Sequence, residues 1–148
     1  MISYNNTIKS NVLDSLDKIV NDEFTDIPIY YDQEFHVRGN RFFVFQPQTD
    51  ELIEQRVSSD VREYTVLIKL YQKAGVDFRK KTEINPITQI TERLKRLVAN
   101  NSDYSPSSTY KWHDGRISLI EYRVDNEEAP EFNITDVTFS CVVEEVLS

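Results

Sequence analysis

Residues 62–72, REYTVLIKLYQ, alternate so that Tyr64, Val66, Ile68 and Leu70 share one face while Thr65, Leu67, Lys69 and Tyr71 share the other. Because the second face is also half apolar, this strand is expected at the centre of a sheet or in an interface. A sheet with such a strand needs a second layer over at least one face. The rest of the chain has to supply it.

Two segments have the period of a helix. Tyr4, Ile8, Val12, Leu16, Ile19 and Val20 recur at steps of three and four, and Lys9, Asp14, Asp17 and Lys18 fall largely elsewhere. The second is expected to start at Asn85-Pro86, where a cap precedes a residue whose missing N–H costs nothing at the first helical position. Ile87, Ile90, Leu94, Leu97 and Val98 follow at helical spacing, Lys95 and Arg96 suit the negative end of the dipole, and Asn100-Asn101 can end the helix.

The other ordered stretches alternate with period two. Residues 27–31 and 41–45 are rich in aromatic and β-branched side chains, and Arg38-Gly39-Asn40 between them predicts a hairpin. Residues 117–124 form a further strand, and Val137, Phe139, Cys141 and Val143 line one side of the last. Residues 125–133, with their acids and Pro130, read as a solvated loop. Residues 46–60 and 100–109 read as loops or extended hairpin arms. The expectation is one α+β domain over 1–148, with two helices on one face of a mostly antiparallel sheet, ferredoxin-like or a split variant of it.

Charge and cysteine content narrow the partners. The formal net charge is −8, which opposes general binding to phosphate backbones. Arg79-Lys80-Lys81 is the one basic run, and a solvated stretch before a helix accounts for it. Cys141 is alone, so no disulfide within the chain and no cysteine-built metal site can form. No apolar run approaches the ~18 residues of a membrane helix. The start, MISYNNTIKSNVLDSLD, lacks the basic and apolar regions of a signal peptide, so a cytoplasmic protein is expected.

Catalytic signatures are missing. The three glycines, at 39, 75 and 115, are not spaced for a phosphate loop, and Gly-x-Ser-x-Gly does not occur. His36 and His113 lie far from helical metal spacing, in stretches that read as surface turns. Glu127, Glu128 and Glu131, or Glu144 and Glu145, could pair as acid and base only if one were desolvated, which a solvated acidic loop does not provide. Trp112 beside Tyr110 reads as packing, since no basic and aromatic groove accompanies it. Asp32, Gln33 and Glu34 follow the first strand, where they would repel a phosphate. No cofactor, metal or membrane partner is expected.

The order of an amphipathic helix, IPIYYDQEF, RFFVFQPQ, VREYTVLIKLYQ, the helix INPITQITERLKRLV, then GRISLIEYRVD and TDVTFSCVVEEV resembles the tail terminator, or head–tail joining, proteins of long-tailed bacteriophages. The resemblance runs over nearly the whole chain. It implies a virion structural protein, assembled in the host cytoplasm, that forms a ring, usually a hexamer, caps the finished tail tube and joins it to head-completion proteins. DNA would pass the channel without specific binding, in keeping with the acidic charge. A small adaptor or binding module of similar fold, and a small enzyme with an unrecognised site, stand as the alternatives.

The stretch QPQTDELIEQRVSSD is longer than the ~2–5 residues of a hairpin loop. It holds Leu52, Ile53 and Val57 among charged residues. Either it folds back as a short helix or it reaches a neighbouring subunit or the tail tube, burying those three side chains only on assembly.

Overall fold

A computed structural model describes residues 1–31, 39–73, 81–107, 111–123 and 132–146, with the backbone alone for 81–84. Helical backbone of π type over Ile8–Leu13 runs into α1 (Asp14–Glu23). There follow β1 (Ile29–Tyr30), β2 (Arg41–Gln55), β3 (Ser59–Lys73), α2 (Lys81–Asn100), β4 (His113–Tyr122) and β5 (Phe132–Val146). The strands form one five-stranded mixed sheet in the order β1-β2-β3-β5-β4. This element order differs from the βαββαβ of a plain ferredoxin-like unit.

β3 takes the central place that its two apolar faces require. Its Tyr64, Val66, Ile68 and Leu70 join Phe43 and Phe45 of β2 and Val137, Phe139, Cys141 and Val143 of β5 in the main core. Val12, Leu16, Ile19 and Val20 from the first helical segment and Ile87, Ile90, Leu94 and Val98 from α2 complete that cluster, so both helices cover the same sheet face. Arg93 of α2 links the helices, contacting Glu23 at 3.0 Å and lying 4.4 Å above the Phe24 ring. On the opposite face Phe42, Val44, Tyr71 and Ile134 form a second cluster in which the Phe42 and Tyr71 rings stack 4.9 Å apart.

Several sequence expectations are corrected. β1 pairs with β2 in parallel, Ile29 beside Phe43 and Tyr30 beside Val44, so these strands are not a hairpin. Gly39 does adopt a turn conformation, at φ 83°, while Arg38 lies outside the described residues. α2 starts before Asn85, and Pro86 sits inside it. Tyr4 precedes the helix and is exposed. β4 starts at His113 and ends at Tyr122, and Phe132 and Asn133 belong to β5; residues 124–131 lie outside the description.

The stretch 46–60 is neither a short helix nor an open loop. β2 and β3 pair from Arg41↔Gln72 out to Gln55↔Asp60, with bulges at Pro47/Thr49 and Leu52/Glu54. Arg56 N–H donates to Ser59 O at 2.8 Å, closing a tight turn over Val57 and Ser58. The second long connection is tied down in part by the Tyr104↔Trp112 bridge.

Candidate interaction surface

The hairpin arm is where the structure departs most from a closed domain. Every residue from 47 to 58 is exposed, because no helix or further strand lies over it among the described residues. Leu52 is 46% exposed, Ile53 54% and Val57 108%. Leu52 pairs with Arg62, Ile53 is the extra residue of the second bulge, and Val57 stands at the turn. The three side chains are thus distributed along the outer half of one arm.

The arm is braced at its root. β5 runs beside β3 as far as Ser59↔Val146, giving the base a third strand. Arg56 reaches Glu144 of β5 at 3.0 Å, and the Ser59 hydroxyl donates to Glu144 Oε1 at 2.8 Å. The Ser59 hydrogen bond, with Arg56 beside it, holds the Glu144 carboxyl below its ordinary value. Arg62 donates to Asp50 at 3.1 Å across the hairpin. Exposed pairs of this kind are screened by solvent, so they orient the arm more than they stabilise the fold.

Two sheet edges are open. β1 pairs only with Phe43 and Val44, which leaves the outer edge of β2 beyond them without a strand partner among the described residues. β4 is the other edge strand, broken by a bulge where Asp114 takes φ 54°, and Leu119 there is half exposed. Asp50, Glu51 and Glu54 on the arm guard its edge against unselective pairing.

His113 is exposed on β4, and His36, Glu127, Glu128 and Glu131 lie outside the described residues, as do Arg79 and Lys80. Trp112 is buried against Tyr104 and Phe139, its indole N–H donating to Asn101 O at 2.9 Å. Burial pushes the Cys141 thiol far above its ordinary value, which leaves it protonated. Among the described residues, no group of three side chains is arranged to hold a metal ion, and no helix is long and apolar enough to cross a membrane.

Sequence reasoning weighed Glu145 only beside Glu144 and missed the groups it meets at the arm's root: Asp50, Asp60 and Arg62. Together with Glu145 they come from three strands, and no spacing along the chain announces them.

No family model and no curated protein matches the chain. Its fold is similar to that of a chain in a solved structure described as "Virion of native gene transfer agent (GTA) particle", with a TM-score of 0.57 and 7% sequence identity. The match covers 95% of this chain and 99% of that one. At that identity the likeness is one of fold.

Proposed function

We propose that this chain is a structural protein of a bacteriophage-type virion, a tail terminator or head–tail joining subunit with no catalytic activity. The observation that carries the reading is the fold likeness to a virion-particle chain over nearly the full length of both proteins. The exposed arm agrees with it.

In this reading residues 1–148 act as a single ferredoxin-related α+β subunit that associates head to tail into a closed ring, six copies being the family's usual number. Head-to-tail contacts need two different surfaces on each copy, and rings form when the rotation closes. The arm supplies one surface, burying Leu52, Ile53 and Val57 against the next subunit or the tail tube. The ring would cap the tube at the head–tail junction and leave a channel through which DNA passes unheld. The net charge of −8 suits a passage that does not retain DNA.

Negative-stain electron microscopy of the purified protein, alone and mixed with tail tubes, tests this. Rings, free or seated on tube ends, are the expected result. A protein that stays monomeric and leaves tube ends bare would overturn it.

A further inference from the structure

Along β2 the arm presents side chains to both faces of the sheet. Leu52 lies opposite Arg62, so it shares the face of Tyr64 and the main core, the face that carries the helices. Glu51 lies opposite Glu63 and points to the reverse face, where the two carboxylates repel. Glu63 is joined to Arg116 at 2.8 Å. Glu51 is exposed and makes no ion pair among the described residues.

On the other flank of β3, the end of β5 carries a second open surface. A recess of about 640 Å³ there has Ile2, Tyr4, Thr7, Glu145 and Val146 in its walls. Ile2 is 84% exposed, Tyr4 83% and Val146 77%, so three large apolar side chains stand in water around it. Glu145 pairs with Asp60, which sets this recess on the face that carries the helices. Glu144, opposite Val61, marks the reverse face, and Lys111 stands near enough to help hold its carboxyl low. Lys111 is exposed and makes no ion pair among the described residues, while its carbonyl accepts from Asn11 Nδ2 at 3.1 Å, which fixes its place.

The two surfaces are complementary. Each joins exposed apolar side chains on the helix side to a lone charge on the reverse side, and the charges are opposite. They sit at one level of the sheet, since Gln55 lies beside Asp60 and Asp60 beside Glu145. They flank β3 from its two sides, roughly 10 Å apart by ordinary strand spacing. Surfaces on opposite flanks at one level meet when copies are related by rotation about an axis that runs along the strands. We propose that the recess walled by Ile2, Tyr4 and Val146 receives the arm of a second copy, with Leu52 and Ile53 entering it and Glu51 pairing with the partner's Lys111. Pairing of arm with arm is disfavoured, because it would set Asp50, Glu51 and Glu54 against themselves. The inference rests on the ring reading for self-association and adds the surface that takes the arm.

The test places Leu52→Cys in one copy and Tyr4→Cys in another and mixes the two under mild oxidation, free and on tail tubes. Both positions are exposed, so both variants should melt like the parent, and the buried Cys141 offers no competing thiol. The expected result is a disulfide-linked dimer in the mixture and none with either variant alone. Glu51→Lys in the first copy should lower the yield severalfold, and Lys111→Glu in the second should restore it. No mixed dimer, or equal dimer from one variant alone, overturns the proposal. Rings that form without the mixed dimer overturn it and leave the ring reading standing, whereas the loss of both removes both. A mixed dimer from a protein that forms no ring keeps the contact and removes the ring reading.

Discussion

Gly115 lies so close to Trp112 that a β-carbon on it would stand 2.7 Å from the indole Nε1. That nitrogen donates to Asn101 O at the end of α2, and the Gly115 N–H donates to Ser102 O at 2.8 Å. One glycine thus lets the start of β4 close against the chain leaving α2. Gly115→Ala forces the indole away and should cost about 1–3 kcal/mol, the usual range for overpacking. Because Trp112 is the only tryptophan, its fluorescence emission should shift to the red in the folded variant. Unchanged emission and melting temperature would show that the contact relaxes without loss.

Leu94 is fully buried between α2 and the sheet. Leu94→Ala should destabilise the protein by about 2–5 kcal/mol. That is a large part of the ~5–15 kcal/mol typical of a domain, so urea unfolding should show a clearly lower midpoint.

Cys141 is buried in the main core, and its thiol is held protonated by burial. Ellman's reagent should leave the folded protein unlabelled and titrate one thiol per chain in guanidinium. Rapid labelling of the native protein would mean that β5 opens locally.

The arm can be tested by a triple change of Leu52, Ile53 and Val57 to Ser. These side chains are exposed in the isolated subunit, so the melting temperature should stay near that of the parent. Assembly, read by electron microscopy of tube ends, should fail. A variant that still caps tubes would remove these residues from the interface.

Glu145 gives a pH signature. Its folded-state pKa is raised, so it favours folding fully below the ordinary carboxylate range, and that contribution is lost as pH rises through the folded-state value. Glu145→Gln lacks this loss. Relative to the parent, the variant should therefore gain in melting temperature as pH rises above the carboxylate range, in low salt. A parent that outlasts the variant at neutral pH would mean that Arg62 and Tyr64 more than offset the burial of the charge.

What the sequence determined by itself was the burial pattern. Alternation at 62–72 marked β3 as central with two apolar faces, and the spacing of Ile87, Ile90, Leu94 and Val98 marked the face of α2 that meets the sheet. Such patterns are local, because each element must bury one face whatever its partner is. The direction of β1 was not legible, since the same apolar residues suit parallel or antiparallel pairing and the turn at Gly39 favoured the wrong one. The arm was legible only as an alternative to a loop: residues 47–58 are exposed throughout and give no alternation to read, and the turn at Val57-Ser58 lacks the Asn-Gly or Asp-Gly signal. Only the tertiary structure decided that Asp50, Asp60 and Glu145 converge on Arg62. That convergence depends on the register of β3 with β5, whose paired residues lie more than eighty positions apart at the root, and register between remote strands is set by the packing of the whole sheet.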